Sequence, residues 1–441
     1  MRETKEVRKL LFGDVKKATT YIGLARTILG QVKQQAAFGG LSQLSRLVRL
    51  PDGTQITVDT RFGQDMIEIR SPVRPGVGRE EVTMPRESLD VPALAIPPGL
   101  IVAGDYIPAV VNPVLRAVLW RSPTTPLYLT VDTGRTSATL PADSVQGISA
   151  DGSIVAGIAR GTYTDGAGAL GFLWTGSGTE SIGRIGTAAT LINGLSADGR
   201  TAGGNSAVTA SPGWNYRPFI WTREGGIRLL SMGSGIEGMV AAVSANGRVM
   251  VGRITTSNSP YREEVVVWYD ENPPVTIATG SLGRCAMGVS GDGKVICGQH
   301  TTGVGFDAVV RPFRWTAADG LQLLSESRGQ ANAVSADGRV VVGGLYGFIN
   351  EVEPGLPRVT FGGDTPHAFY WTESTGLVDL GEGVAYCASP DGTVIGGVDL
   401  GGAVLWDRQG NMTRLGGGAG HIAKVIAQPP VPSIPAIHVD L

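Results

Sequence analysis

The sequence is poor in cysteine, in charge and in long apolar runs, and each shortage excludes something. Its three cysteines, Cys285, Cys297 and Cys387, are an odd number at spacings unlike a metal site, with no histidine cluster beside them. A disulfide framework and a structural zinc site are therefore not expected, and the Val and Ile neighbours of Cys297 mark a buried thiol. Charged residues make up 17%, and frequent short apolar runs exclude disorder. No run approaches the ~20 apolar residues of a membrane-spanning helix. The opening segment MRETKEVRKLLFGDVKK is basic but lacks a sustained apolar stretch and a small-residue cleavage site, so no secretory signal is read there. The four histidines, His300, His367, His421 and His438, are scattered. There is no H-E-x-x-H, no phosphate loop and no G-x-S-x-G in a strand–helix setting. No catalytic residue, metal or cofactor is expected.

Glycine is what the chain has in excess, 65 of 441 residues, roughly twice the usual share. It follows no three-residue period, which excludes collagen. Charge is unevenly spread. Residues 1–50 carry ten Lys/Arg against Glu3, Glu6 and Asp14, a balance of +7, and the remainder carries −9. A basic arm on an acidic body suits docking on nucleic acid, an anionic membrane or an acidic partner. The plainer alternative is a solvated helix face.

The phrase Ser-x-Asp/Asn-Gly recurs six times, with its acid or amide at Asp151, Asp198, Asn246, Asp292, Asp337 and Asp391. Each is followed by a short run ending in glycine, such as RVMVG or KVICG. Asp-Gly between alternating apolar segments predicts a tight hairpin with both central residues at positive φ. About 22 residues later comes an apolar residue two places before a tryptophan: Phe172/Trp174, Phe219/Trp221, Val266/Trp268, Phe313/Trp315, Phe369/Trp371 and Val404/Trp406. That spacing puts both side chains on one face of a strand. A seventh copy, GLIVAG (99–104) with Val118/Trp120, lacks the Asp-Gly.

Each unit of about 47 residues holds four short strands, the content of one β-propeller blade. The expected fold is all-β, a seven-bladed β-propeller over 99–428. A lone four-stranded sheet exposes two apolar faces, and only packing blade on blade around a ring covers both. Ring closure is read from GHIAKVIA near the C-terminus, which aligns with GMVAAVSA (238–245) and would supply the first strand of the incomplete blade. The segment VPALAIPPG (91–99) is a competing donor.

The repeats resemble the HAF-type family of bacterial extracellular repeats, named for a His-Ala-Phe tripeptide. It stands here as His367-Ala368-Phe369, with kin in RPFIWT (217–222), RPFRWT (311–316) and GFLWT (171–175). The resemblance covers roughly 99–428 and implies a propeller-like fold with no defined activity. The absence of a secretory signal departs from the family's extracellular setting.

Ahead of the ring, Leu11, Val15, Ala18, Ile22, Ala25, Leu29, Val32 and Ala36 step by fours and threes, a heptad seam. Gly13, Gly23 and Gly30 lie off the seam and cost roughly 1 kcal/mol each, so this helix is expected to lean on a partner or on its own chain. Residues 49–70 read as a hairpin with Ile56/Val58 and Ile67/Ile69 alternating. Thus 1–70 is an α-helix plus β-hairpin adaptor for docking or oligomerisation, 71–98 a linker, and 429–441 a C-terminal tail.

In four-stranded antiparallel blades the first-to-second and third-to-fourth turns share one face of the ring. The second-to-third loops and the blade connectors share the other. The six Asp/Asn resemble a ring of calcium ligands or catalytic acids, but turn chemistry accounts for them. The second-to-third loops carry Tyr163, Trp214, Tyr216, Tyr261, Phe306, Tyr346, Phe348 and Phe361, and the loop near 344–366 adds Glu351, Glu353 and Asp364. Aromatics on a rigid scaffold suit sugar or protein recognition; the alternative is that they fold the loops over the ring. The sequence reads as a non-enzymatic structural or binding protein, foremost a phage virion component of tail, nozzle or baseplate. Its partners would be other virion proteins, further copies of itself, or a host surface glycan or protein. An intracellular bacterial scaffold with a basic docking arm and a propeller enzyme acting on polysaccharide are the alternatives.

Overall fold

The computed structural model describes residues 43–49, 55–61, 64–70, 99–107, 115–163, 168–186, 189–208, 215–259, 261–280, 285–302, 308–346, 366–418 and 420–427. The chain divides into two compact units, Met1–Val91 and Pro92–Leu441. The heptad segment 11–36 lies outside the described residues. In the first unit Gln43–Arg49, Gln55–Arg61 and Gln64–Arg70 form an antiparallel meander. Ile56 stands opposite Ile69 and Val58 opposite Ile67, as the alternation predicts. The hairpin expectation is short by one strand, however: Pro51-Asp52-Gly53 joins 43–49 to 55–61, so the Asp-Gly signal belongs to an additional, earlier hairpin.

The second unit is a seven-bladed β-propeller, and no helix occurs among the described residues. Numbered along the chain, blade 1 contains Ile101–Tyr106, Arg116–Trp120 and Pro126–Tyr128. Blades 2 to 7 span 137–181, 190–229, 237–280, 285–323, 329–382 and 384–414. Strands are called a to d from the axis outward; successive a strands touch one another around the ring. Blade 1 takes its strand a from the other end of the chain, His421–Ala427, which pairs antiparallel with Ile101–Tyr106. Closure is thus made by the GHIAKVIA segment.

The pleat sorts the strand c side chains between neighbours. In blade 1, Val118 and Trp120 pack toward blade 7 with Leu405, while Ala117 and Leu119 pack toward blade 2 with Val155 and Phe172. The same division recurs at each junction, so seven apolar clusters, one per pair of adjacent blades, make the core. Of the repeat tryptophans, Trp120, Trp221, Trp268, Trp371 and Trp406 are buried, and Trp174 and Trp315 are half-buried. Two of them also cap connectors, Trp120 Nε1 donating to Gly416 O at 2.9 Å and Trp268 Nε1 to Ser231 O at 2.7 Å. This satisfies the one polar atom of a buried indole.

The glycine ending each post-turn run has a tertiary cause. Every a strand carries a β-bulge against strand b, at Lys424, Gln146, Asn193, Ala241, Met287, Asn332 and Tyr386 in blades 1 to 7. The bulge turns the carbonyl two residues earlier into strand b. A Cβ at Gly104, Gly157, Gly204, Gly252, Gly298, Gly343 or Gly397 would overlap that carbonyl oxygen. Only glycine admits so close a backbone approach. Gly252→Ala is therefore expected to cost about 1–3 kcal/mol or more, read by chemical denaturation. Gly178→Ala, in an outer strand where a Cβ meets nothing within 4 Å, is expected to stay within about 0.5 kcal/mol. Equal effects at the two sites would refute this account of the repeat glycines.

Candidate functional site

On the a–b turn face, the six Ser-x-Asp/Asn-Gly phrases share one hydrogen-bond pattern. The serine Oγ donates to Oδ1 of the Asp or Asn at 2.5–2.8 Å. It accepts the backbone N–H five residues after itself at 2.9–3.0 Å. Oδ1 also accepts the N–H two residues on. The glycine N–H bonds back to the serine carbonyl, and only the glycine has positive φ, between 67° and 79°. The expected turn with two central positive-φ residues is corrected accordingly: x and Asp are the central pair of an ordinary turn, and glycine follows in the left-handed position. The turn with two positive-φ residues occurs instead at Asp270 and Glu271, between strands c and d of blade 4.

Asn246 decides what these acids do. Its amide oxygen holds the same partners as the five carboxylates, Ser244 Oγ at 2.7 Å and Arg248 N at 3.0 Å. The position requires an acceptor and no charge. Asp151 is held below the ordinary carboxylate range by the Ser149 hydroxyl and the Ser153 N–H. At Asp198, Asp292 and Asp391 burial pushes the other way, but the serine and backbone donors prevail and the carboxyls are again lowered. Among the described residues no group of three or more His, Cys, Asp or Glu is arranged to hold a metal ion.

The opposite face, of b–c loops and connectors, carries the expected aromatics. Trp214, Phe306, Phe348 and Phe361 lie outside the described residues, as do Glu351, Glu353 and Asp364. The other four sit on separate blades. Tyr163 is only 5% exposed, so burial raises its hydroxyl, which donates to Ala159 O at 3.0 Å and lies 2.9 Å from Thr133 Oγ1. It fastens a connector. Tyr216, Tyr261 and Tyr346 are half-buried. The Tyr261 hydroxyl donates to Glu263 at 2.9 Å. The Tyr346 hydroxyl accepts from Gln330 Nε2 at 3.2 Å and is pushed up to about 12 by burial and by Tyr386 nearby. His367 is a strand residue whose Nδ1 lies 3.2 Å from the Asp379 carboxylate.

Three buried carboxylates near this face escaped sequence reasoning, because their partners come from distant blades or connectors. Asp105 meets Lys424 Nζ at 3.2 Å, Ser144 Oγ at 2.9 Å and Val145 N at 2.7 Å, joining the C-terminal strand to blades 1 and 2. Ser144 Oγ lies 3.1 Å from Lys424 Nζ, and both groups donate to the Asp105 carboxylate. Asp143 is bound by both Arg135 nitrogens; burial raises its carboxyl while Arg135 pulls it down. Glu263, fully buried, pairs with Arg253. Each buried acid is neutralised within the chain. Bulged side chains also tie blade to blade: Asn193 Nδ2 donates to Val240 O and Asn332 Nδ2 to Ala385 O, both at 2.8 Å.

With this geometry established, comparison with known proteins is brief. No family model matches the chain, and no curated protein matches it. Among solved structures it is similar to TolB from Acinetobacter baumannii, at 13% identity and a TM-score of 0.41, over 89% of this chain and 84% of that one. It is also similar to the β-propeller domain of the Trilobed protease from Pyrococcus furiosus, at 12% identity and a TM-score of 0.42, over 63% and 86%. A putative 6-phosphogluconolactonase from Bacteroides uniformis gives 12% identity and a TM-score of 0.39, over 72% and 97%. Likenesses this distant assign no activity.

Two outcomes test the turn assignment. Ser290→Ala removes a hydroxyl that serves both Asp292 and Val295 N and is expected to cost about 1–3 kcal/mol, whereas Asn246→Asp is expected to be near neutral by thermal denaturation. The lowered turn carboxyls also set a pH dependence. Their stabilisation is fully present above the unfolded value of about 3.9 and is lost as pH falls through the depressed folded values. Asp151→Asn keeps the acceptor and should lose less stability between pH 7 and pH 3 than wild type, and an unchanged acid slope would count against the assignment.

Proposed function

We propose that the protein is a non-catalytic binding platform, a propeller borne on an N-terminal adaptor, and that it serves as a phage virion component of tail, nozzle or baseplate. The observation that carries the non-catalytic part is the pairing of Asp105, Asp143 and Glu263 with Lys424, Arg135 and Arg253. A glycan-cleaving site needs two carboxylates flanking one bond, and these three stand on blades 1, 2 and 4, each with its own cation. Support for a platform comes from the topology. The chain enters blade 1 beside Ile101 and leaves it at Ala427, which pair with each other where the other blades have their a–b turns. The described chain therefore enters and leaves the propeller at the a–b turn face.

The virion assignment rests on sequence architecture: a heptad seam over 11–36 suited to self-association, joined to a repeat ring whose phrases resemble a family of extracellular repeats. In it the adaptor docks or oligomerises and the propeller faces outward. Light scattering after size exclusion tests the adaptor's part, a chain beginning at residue 41 being expected to form a particle of fewer copies than the full chain. Equal copy numbers would remove self-association from the reading. Release of oligosaccharide from capsular polysaccharide or lipopolysaccharide by the full protein would overturn the non-catalytic one.

A further inference from the structure

Arginine is distributed between the two faces of the ring in different states. On the turn face Arg200, Arg223, Arg228, Arg248, Arg314 and Arg339 each stand within ion-pair distance of an Asp or Glu. On the b–c face the arginines beside the buried carboxylates are paired likewise. Five others are not. Arg116, Arg160, Arg262 and Arg328 are exposed and Arg217 is half-buried, and none has an acidic partner among the described residues. They stand at the start of strand c in blades 1, 3 and 4, at the end of strand b in blade 2, and on the connector into blade 6. Among the described residues the carboxylates on this side without a cation are fewer: Asp132, Glu237, Glu264 and Glu382. Among the described residues the comparable arginines on the turn face are Arg408 and Arg121, the latter donating to Gly152 O at 3.3 Å.

Among the described residues most other guanidinium groups meet a carboxylate, whereas these five, on blades 1, 2, 3, 4 and 6, do not. From this distribution we infer that the b–c face binds an acidic polysaccharide, a linear polymer with a carboxylate on each repeating unit. The inference rests on the platform reading above and names the ligand class for that face. A guanidinium fork matches a carboxylate bidentately, and cations spread over several blades are engaged together only by an extended chain of repeated anions. The tyrosines agree. The Arg116 guanidinium lies 5.9 Å from the Tyr128 ring centroid, Tyr216 and Tyr261 immediately precede Arg217 and Arg262, and Tyr346 N bonds to Arg328 O. Flanking aromatic carbon suits a sugar ring.

Nucleic acid fits less well. Base stacking needs open aromatic faces, whereas Tyr216, Tyr261 and Tyr346 are half-buried and the hydroxyls of Tyr261 and Tyr346 are fixed within the chain.

The test is titration calorimetry on the full-length protein with oligogalacturonate, neutral dextran and single-stranded poly(dT). Oligogalacturonate is expected to bind and to weaken as salt rises, with no response to dextran and weaker binding of poly(dT). The combined variant Arg160→Glu, Arg217→Glu, Arg262→Glu is expected to lose about tenfold or more in affinity, while Arg408→Glu keeps wild-type affinity. Absence of oligogalacturonate binding, tighter binding of poly(dT), or an equal loss in Arg408→Glu would each overturn the inference. If oligogalacturonate fails to bind while full-length protein still assembles into virions, the inference falls and the platform reading stands.

Discussion

Seven carbonyl oxygens of the innermost strands press against seven α-carbons of the second strands, and the ring forms only where those α-carbons bear hydrogen in place of a side chain. This contact fixes the bulge, and the bulge fixes where the next side chain goes. Asn193, Asn332 and Lys424 occupy bulge positions, and from there each reaches the innermost strand of the following blade. A steric requirement within one sheet thereby becomes a bond between sheets. Apolar packing supplies most of the driving force, but it is tolerant of shape. The glycine contact sets the register to which that packing conforms.

The turn glycines add direction. A Cβ on Gly152, Gly199, Gly247, Gly293 or Gly338 would strike the first strand b residue of the preceding blade, Ile101, Ile154, Thr201, Val249 or Val295, and one on Gly392 would strike Val340, the residue just before strand b of blade 6. Each hairpin therefore rests on its predecessor. One junction departs from the apolar rule. Where other blades place Leu, Ile, Val or Tyr toward the next blade, blade 5 places Arg314, with its guanidinium 5.5 Å from the Trp371 ring centroid and bonded to Asp319. A cation against an indole, with its charge met at the rim, substitutes there for an aliphatic contact.

What could be read from the sequence was whatever repeats locally. The Phe/Trp pairs, the Ser-x-Asp-Gly phrase and the seventh, incomplete copy led to seven blades and to the closing strand because each is a short-range pattern with a fixed period. The turn geometry was misread, since Asp-Gly alone does not reveal that the serine hydroxyl shifts the central pair back by one residue. The additional strand 43–49 was missed because its own alternation is interrupted by Arg46. The pairings Asp105–Lys424 and Arg253–Glu263 had no sequence signal: the first joins residues from opposite ends of the chain, and the second joins two charges across a hairpin that otherwise looks like exposed surface. Loop aromatics were visible by type, but whether a ring faces solvent or fastens a connector, as Tyr163 does, depends on burial.

Six blades close their inner edge with a covalent hairpin, and the remaining blade closes it by pairing His421–Ala427 with Ile101–Tyr106, with no hairpin between them. The polypeptide break is thus one of seven near-equivalent places at which the same circle could be cut. A genetic rearrangement that spliced the ends through a Ser-x-Asp-Gly linker and reopened another hairpin would preserve every sheet while moving the point at which an attached domain is tethered.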